Sequence, residues 1–298
     1  MADTLSGQVA IITGGASGIG RALAHELARR GAEVVLADRQ GAVAEEVARN
    51  ISSSGGRARA VELDVRNFAA IKRVAEDTVS RSGRIDFLFN NAGIAVGGEM
   101  DNYTLEDFDE VFDVNLRGVA YGILAVYPIM IEQRSGHIVN TASIAGLVAA
   151  GLEGSYTASK HAVVGLTKAL RMEAKRHGVR ASVFCPGVIR TDILSGGKYG
   201  RIKMEGISRD KLLETWERFR PMDASLFARK AMDAVLRNDA IIIVPGWWKI
   251  AWYLDRLAPT LSMKVWETLL ERFRIEMQAE GATPSRETNG RGASAQAS

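Results

Sequence analysis

Short apolar runs alternate with longer stretches of helical periodicity along the first part of the chain. The runs with strand character are residues 8–13, 33–38, 58–63, 85–90, 137–141 and 181–185. The stretches between them predict helices over residues 19–30, 42–53, 69–82, 105–133 and 155–177. Strands separated by helices of this length are joined by crossovers. The pattern therefore predicts an α/β fold of three layers, a doubly wound, mostly parallel sheet with helices on both faces.

The predicted strands are almost continuously apolar, as in QVAIIT and EVVLAD, which is typical of strands buried on both faces. In such a sheet the ligand crevice lies outside the carboxyl ends of the strands. Residues that directly follow the strands are therefore the first candidates for function.

The pattern changes after Thr191. Residues 192–221 are polar and glycine-containing and predict a substrate loop with one helix near 208–220. A helix over 223–237 and a last strand over 240–244 complete a catalytic domain of residues 1–246. Residues 247–278 predict a C-terminal helical extension, with an aromatic-rich helix pair over 247–274 that is broken at Pro259, and residues 279–298 predict a disordered tail.

Composition excludes several classes of protein. The 298 residues include 38 basic and 35 acidic side chains, so no excess of positive charge favours nucleic-acid binding. The single cysteine, Cys185, cannot form an intramolecular disulfide, and it has no histidine at metal-ligand spacing, so we expect no metal site. No secretory signal is recognisable at the N-terminus, and no run of 18 uncharged apolar residues predicts a spanning helix. We expect a cytoplasmic protein.

A glycine-rich turn follows the first strand and opens the first helix. Its sequence, TGGASGIG at 13–20, contains Gly14, Ser17, Gly18, Ile19 and Gly20. Glycines let the backbone approach a pyrophosphate closely, and the helix N-terminus offers N–H groups and a positive dipole end to the anion. In this strand–turn–helix context the turn predicts a dinucleotide-binding site rather than a plain turn.

Asp38 lies at the end of the second strand, eighteen residues past Gly20. A carboxylate there accepts hydrogen bonds from the adenosine ribose and repels a 2′-phosphate, which favours NAD over NADP. Arg39 is the complication, because a guanidinium next door could bind that phosphate instead. We interpret Arg39 as a solvated loop residue and expect NAD, with NADP as the less favoured cofactor.

Tyr156 and Lys160 are four residues apart in a predicted helix, which puts both side chains on one face. A free tyrosine has a pKa of about 10, and a neighbouring ammonium lowers it. The pair therefore predicts a tyrosine that exchanges protons near neutral pH, although most such pairs are surface features when no other motif surrounds them.

These motifs together resemble the short-chain dehydrogenase/reductase family of standard length, over about residues 6–246. The matching motifs occur in the family's order: TGGASGIG at 13–20, LDV at 63–65, NNAG at 90–93, Asn115 in DVNLRG, Ser143, YTASK at 156–160 and PGVIRT at 186–191. The resemblance implies a Rossmann fold, a dimer or tetramer, and an enzyme that acts on alcohols and ketones.

The resemblance also implies roles for residues at the matching positions. Tyr156 would exchange a proton with the substrate oxygen, Ser143 would hydrogen-bond that oxygen, and Lys160 would also hold the nicotinamide ribose. Asn115 would shape its helix and anchor a water in a proton relay. The remaining cofactor contacts would come from Asp64 and Val65 at the adenine, Asn91, Ala92 and Gly93 on the floor, and Pro186, Gly187, Val188 and Thr191 around the nicotinamide. Val188 backbone and the Thr191 hydroxyl would hold the carboxamide.

The substrate is less defined by these patterns. The substrate loop contains Ile193, Leu194, Tyr199, Ile202, Met204 and Ile207, and Ala145, Val148 and Leu152 add to an apolar cavity. We therefore expect an aliphatic, alicyclic or steroid-like secondary alcohol and its ketone rather than a phosphorylated sugar. Two alternatives remain: an NADPH-preferring carbonyl reductase that uses Arg39, and a non-catalytic NAD-sensing regulator, which the intact set of Asn115, Ser143, Tyr156 and Lys160 disfavours.

Four of the five tryptophans lie in the C-terminal extension, at Trp247, Trp248, Trp252 and Trp266, with basic residues between them. We expect this helix pair to pack over the substrate pocket or a neighbouring subunit. The alternative is a peripheral membrane contact, because amphipathic helices with aromatic and basic residues lie at lipid interfaces.

Overall fold

A computed structural model describes residues 4–149, 151–204 and 208–281 of the chain. The strands are β1 (Val9–Thr13), β2 (Glu33–Asp38), β3 (Arg57–Glu62), β4 (Phe87–Asn90), β5 (Val96–Gly98), β6 (Gly136–Thr141), β7 (Val179–Pro186), β8 (Ile189–Arg190), β9 (Arg201–Lys203), β10 (Met222–Asp223) and β11 (Ile241–Val244). The α-helices are α1 (Gly18–Arg29), α2 (Gly41–Ser53), α3 (Phe68–Ser82), α4 (Leu105–Phe112), α5 (Gly118–Gln133), α6 (Gly154–Ala174), α7 (Arg209–Glu217), α8 (Ala224–Leu236), α9 (Lys249–Leu257) and α10 (Pro259–Gly281).

Seven strands form one parallel sheet in the order β11-β7-β6-β4-β1-β2-β3. The chain winds outwards from β1 in one direction and returns through β4 in the other, so the strand order reverses between β1 and β4. The predicted α/β doubly wound fold is confirmed. This reversal opens a crevice at the carboxyl ends of the strands, where the candidate motifs lie.

Two apolar layers enclose the sheet. One is built from α3, α5 and α6 against strand residues such as Val35, Leu88 and Val183, and the other from α1, α2 and α8 against residues such as Ile12, Leu36 and Phe184. β1 is buried along its whole length, and β2 along nearly all of it, because helices cover both faces. This burial explains the continuous apolar character of the strands.

The stretch predicted as one helix over 105–133 is interrupted. α4 and α5 are joined by a π-helical turn, Asp113–Arg117, that contains Asn115. α5 lies close to the sheet, because a Cβ on Gly122 would be 2.0 Å from the Asn90 side chain. The whole stretch has the length and hydropathy of a membrane span, and 44% of its most apolar window is buried inside the fold, where Val119, Ile123 and Val126 pack in the core.

The segment after Thr191 forms a 3-10 turn, Asp192–Ser195, then β9 and α7, which lies within the predicted helix at 208–220. α9 and α10 form the predicted C-terminal pair, and α10 begins at Pro259, where the break is expected. α10 continues through Gly281, so the start of the predicted tail is helical. Residues 282–298 of that predicted tail lie outside the described residues.

Candidate active site

The glycine-rich turn is held in shape by contacts that exclude larger side chains. Gly14 has φ +68°, and a Cβ there would lie 2.9 Å from the Ala92 Cα. A Cβ on Gly20 would lie 2.0 Å from the Gly14 carbonyl oxygen. Any other residue at these two positions would push the turn open. Residues 14–20 between β1 and α1 therefore form a turn whose glycines leave the backbone uncovered; this turn is called the cradle below.

This cradle has the features of an anion site. The side chain of Ser17, the N-cap residue of α1, makes no capping hydrogen bond, and the first turn of the helix carries no acidic residue. The N–H groups of that turn and the positive end of the helix dipole thus suit a negatively charged group. Ser17, Gly18 and Ile19 line the large cavity described below, as does Arg21 one turn further on. The residues present fit the pyrophosphate of a dinucleotide.

Asp38 is buried at the carboxyl end of β2 and is tied to the cradle. One carboxylate oxygen accepts the Ala16 N–H at 3.0 Å, and the other accepts the Gln40 N–H at 2.9 Å. These two bonds fix a negative charge beside the turn, where the adenosine ribose of a dinucleotide would bind.

Arg39 is the solvated residue that we expect from the sequence, and it also makes two contacts that the sequence does not predict. Its guanidinium lies 4.5 Å from the ring centroid of Tyr199, which belongs to the substrate loop, and its Nε is 3.6 Å from Asp64. Asp64 also binds Arg66 at 2.6 Å, which holds the pKa of its carboxyl below its usual value. Arg39 is exposed, as expected, but an aromatic ring and a carboxylate, both distant in sequence, reach its guanidinium. Val65 is buried and packs against Gly118 of α5.

The NNAG loop after β4 forms the floor of the crevice. The amide of Asn91 donates from Nδ2 to the Thr13 carbonyl at 3.1 Å, and the Ala92 N–H donates to the Thr13 hydroxyl at 3.1 Å. A Cβ on Gly93 would lie 3.3 Å from both Asn115 Oδ1 and Lys160 Nζ. The floor therefore connects the phosphate-binding turn to the catalytic candidates.

Ser143, Tyr156 and Lys160 come together at this end of the floor. Ser143 follows β6, and its hydroxyl accepts the Ala145 N–H at 3.1 Å and is within reach of the Tyr156 hydroxyl. Lys160 Nζ lies 5.4 Å from the Tyr156 ring centroid and donates to the Thr141 carbonyl at 2.9 Å. The Ser143 hydroxyl can therefore cap the turn after β6 and still interact with Tyr156 in the site.

The pKa values of Tyr156 and Lys160 differ from those that their helical spacing predicts. Burial, and then the nearby Glu153 carboxylate, raise the pKa of Tyr156 above its ordinary value, and only the Ser143 hydroxyl lowers it. Burial also lowers the pKa of Lys160 to about 8. Loss of hydration is the largest cause of both pKa shifts, neither group contributes to the pKa shift of the other, and Nζ is hydrogen-bonded to the Thr141 carbonyl. Lys160 therefore does not make Tyr156 acidic in the protein alone.

Asn115 sits fully buried in the π turn between α4 and α5. Its Oδ1 accepts the Ile94 N–H at 2.9 Å, and its Nδ2 donates to the Ile94 carbonyl at 3.0 Å and to Ser159 Oγ at 3.1 Å. Ser159 in turn donates to the Tyr156 carbonyl at 2.7 Å. The π turn thus links the floor to the helix that carries Tyr156, and π turns of this kind occur frequently at functional sites.

The residues after β7 form the opposite wall. Pro186 ends the strand, and the indole of Trp248 covers Gly187 so closely that a Cβ there would be 2.0 Å from Nε1. The Val188 carbonyl accepts the Met222 N–H at 3.0 Å. Thr191 donates weakly to the Ile189 carbonyl, at 3.4 Å, and its methyl faces Gly18. This wall brings the end of the sheet, the substrate loop and the C-terminal extension together.

A single cavity of about 840 Å³ runs from the phosphate-binding turn to Tyr156 and under the substrate loop. Its lining includes Gly14, Asn91, Ala92, Gly93, Ser143, Tyr156, Lys160, Pro186, Gly187, Val188 and Thr191. Of the apolar residues expected in the pocket, Ala145, Val148, Leu152, Ile193, Leu194, Tyr199, Ile202 and Met204 line it, whereas Ile207 lies outside the described residues. Asp38, Arg39, Asp64 and Val65 do not line the cavity, although Gln40 does.

Several lining residues are not singled out by the sequence patterns. α10 contributes Leu270 and Phe273, beside Trp266 of the helix pair that the sequence places over the substrate pocket, and the extension therefore closes one side of the pocket. Glu153 also lines the cavity, three residues before Tyr156. The helical spacing from Tyr156 is the signal that points to Glu153, whereas the α10 contacts depend on tertiary packing. Within the described part of the chain, no three His, Cys, Asp or Glu side chains cluster as a metal site requires.

Comparison with known proteins gives consistent matches. Residues 8–198 match the family model described as short chain dehydrogenase. The chain is 40% identical over 188 residues to Oxidoreductase UcpA of Salmonella typhimurium, which covers 63% of this chain and 71% of that protein. It is 39% identical over 196 residues to 2,5-dichloro-2,5-cyclohexadiene-1,4-diol dehydrogenase of Sphingobium indicum, covering 64% and 76%. The crystal structure of a short chain dehydrogenase/reductase from Burkholderia phymatum in complex with NAD has a TM-score of 0.78 at 31% identity, covering 87% of this chain and 96% of that chain.

Proposed function

Because the chain belongs to the short-chain dehydrogenase family, we propose that this oxidoreductase uses NAD(H) to interconvert an apolar secondary alcohol and its ketone. The observation that carries the proposal is the single cavity that joins the glycine-rich anion cradle to Ser143, Tyr156 and Lys160. Oxidoreduction at CH–OH groups follows from the family; the cofactor preference and the substrate class are the proposal.

A nicotinamide dinucleotide bound along this cavity would supply or accept the hydride. The cradle of Gly14, Gly18 and Gly20 would hold its pyrophosphate, and Lys160 Nζ lies near the floor residue Gly93, where it can bind a ribose hydroxyl. The Pro186–Thr191 wall would position the nicotinamide opposite the substrate.

The chain's own residues handle the proton. The Tyr156 hydroxyl points at the same pocket region as Ser143, and with its raised pKa it is a neutral phenol at pH 7. It can therefore donate a proton to a ketone oxygen as the carbon is reduced. Ser143 donates a second hydrogen bond to that oxygen and stabilises its developing charge. In the reverse direction Tyr156 must first release its proton to water, and the phenolate then takes the alcohol proton; the charge on Lys160 would stabilise that phenolate.

The preference for NAD is supported by charge. The Asp38 carboxylate is held beside the turn by two backbone N–H groups, so a 2′-phosphate would meet a fixed negative charge. Arg39, the cation that could receive such a phosphate, is engaged with Tyr199 and Asp64. We expect tighter binding of NADH than of NADPH in a fluorescence titration; the reverse order would favour the NADPH-preferring reductase.

The substrate class is supported by the cavity. Its lining is mostly apolar around Tyr156, and its volume of about 840 Å³ leaves room for a ring system beside the nicotinamide. One relative carries the name of a cyclohexadiene-diol dehydrogenase, which favours an alicyclic substrate. The testing experiment is a screen of aliphatic, alicyclic and steroid secondary alcohols with NAD⁺, following absorbance of the reduced cofactor. Binding of NADH with no turnover of any alcohol or ketone would favour the NAD-sensing regulator.

The C-terminal extension contributes to the pocket and presents a second face. Trp248 is buried, and Trp266 lines the cavity, whereas Ile250, Tyr253 and Leu257 on one side of α9 are exposed. We propose that this outer face makes a peripheral contact with lipid. Because truncation would remove the buried Trp248, the better test is Leu257→Glu, with Leu226→Glu at an exposed leucine of α8 as the control. Equal liposome binding by both variants and the native chain would exclude the contact.

We also propose a cytoplasmic homodimer or homotetramer. Support comes from the family and from three apolar side chains that are 61–79% exposed on the helical layer at α4–α6, namely Leu105, Leu124 and Met172. Light scattering after size exclusion measures the oligomeric state, and a monomer at micromolar concentration would refute this assignment.

A further inference from the structure

Glu153 is a carboxylate at the reaction site without an evident structural purpose. It is the N-cap residue of α6, one turn before Tyr156, yet its side chain makes no capping hydrogen bond. It lines the cavity together with Tyr156 and Ser143. Its carboxylate is near enough to raise the pKa of Tyr156 and of Tyr103, which lies beside the pocket in the loop before α4.

No side chain in the described part of the chain pairs with this carboxylate. Two of the cations that line the same cavity have partners of their own: Lys160 donates to the Thr141 carbonyl, and Arg218 forms an ion pair with Glu276 at 2.6 Å. The other charged groups that line the cavity are Arg21, Asp192, Lys198 and Arg272. Burial raises the pKa of the Glu153 carboxyl to about 7, and no charged neighbour contributes to that shift. An unpaired acid in a mostly apolar cavity destabilises the fold, so a ligand that binds it would account for its presence.

We propose that Glu153 is a specificity-determining residue that binds a second hydroxyl group of the substrate, close to the carbon that is oxidised or reduced. The substrate class is then a diol or hydroxyketone on an otherwise apolar frame. This inference rests on the proposed function and narrows its substrate.

The state of the carboxyl group favours a hydroxyl over an ammonium partner. Near neutral pH, Glu153 exists in both protonation states, because its pKa is about 7. A hydroxyl can donate to the carboxylate and accept from the protonated acid, so it binds both forms. An ammonium group can only donate and requires the ionised form. The surrounding apolar walls would also penalise a buried cation more than a neutral hydroxyl.

The experiment compares three substrates and three variants. The substrates are cyclohexanol, a vicinal cyclohexanediol and the matching vicinal aminocyclohexanol, and the readouts are kcat and KM separately. The variants are Glu153→Gln, Glu153→Ala and Glu276→Gln, the last removing a cavity carboxylate that is already paired with Arg218. The native enzyme should prefer the diol to cyclohexanol by about 10- to 100-fold in kcat/KM, mainly through KM.

Glu153→Ala should abolish this preference, Glu153→Gln should keep part of it because the amide oxygen still accepts, and Glu276→Gln should leave the ratio unchanged. A diol preference that survives Glu153→Ala would overturn the proposal, and a preference for the amino alcohol that Glu153→Gln abolishes would replace the hydroxyl with a cation. If no alcohol is turned over, the proposed function fails separately. Titration of the diol into the NADH complex then still tests whether Glu153→Ala weakens binding.

A stability measurement gives an independent readout. The pKa of Glu153 is raised in the folded protein, so its unfolded form releases its proton first and native stability falls as pH rises from 4.5 to about 7. The melting temperature of Glu153→Gln should exceed the native value above pH 7 and match it near pH 4.5. A variant less stable at both pH values would mean that Glu153 has a structural partner, which would contradict the proposal.

Discussion

Gly187 and Trp248 offer a quantitative test of the link between the C-terminal extension and the cofactor wall. In Gly187→Ala the new Cβ would lie 2.0 Å from Trp248 Nε1 and 2.1 Å from its Cδ1, so the ring must move by more than an ångström. The ring has little freedom, because it is 5% exposed and stacks on Trp247 at 4.3 Å and on Phe219 at 6.2 Å. Overpacking of this kind costs about 1–3 kcal/mol, and we expect the upper end.

Removing the Trp248 ring should relieve the clash that an alanine at position 187 creates. Trp248→Ala alone should cost about 3–5 kcal/mol, as for other buried aromatic truncations. In the double variant the clash no longer exists, so its loss should be smaller than the sum of the single losses by about 1–3 kcal/mol. Urea unfolding followed by circular dichroism measures the four free energies. Gly165→Ala is the control, because a Cβ there meets nothing within 4 Å, and it should stabilise α6 slightly.

The same four proteins test function. Gly187→Ala should weaken NADH binding, because the displaced ring pushes on the wall at Val188, and Trp248→Ala in the same chain should recover part of that affinity. Additive free energies within about 0.5 kcal/mol would show that the two residues are not in contact, and the proposed role of the extension at the pocket would be lost.

Three further predictions concern single side chains. Tyr156→Phe should keep NADH binding and lower kcat by about 10²- to 10⁴-fold, and near-native rates would refute the proton-transfer role. Asp38→Asn should raise the affinity for NADPH relative to NADH by about tenfold, measured by fluorescence titration, because it removes the fixed negative charge. Burial lowers the pKa of His137 to about 3, so native stability should fall as pH drops below 6.5, and acid unfolding of His137→Gln should shift to lower pH.

The fold and the candidate site differ in how far local patterns predict them. Strand burial and helix period are local properties, so the parallel sheet and the positions of the motifs follow from the chain itself. The interruption at Asn115 does not, because a π turn keeps the helical period on both sides and is set by the hydrogen bonds to Ile94. The contact between Arg39 and the Tyr199 ring is likewise not predictable from a local pattern, because the two residues are far apart in sequence.

The pKa values of the site residues depend on burial, which helical spacing alone does not predict. A lysine one turn from a tyrosine predicts a more acidic phenol in water, but in the folded protein burial and Glu153 raise the pKa of Tyr156 instead. The free enzyme therefore holds a neutral phenol at pH 7, which is the state required to protonate a ketone. Because Glu153 contributes to that state, a substrate hydroxyl that binds its carboxylate would disperse the charge and make Tyr156 more acidic. Recognition of the second hydroxyl and proton transfer at the first would then be coupled through one carboxylate.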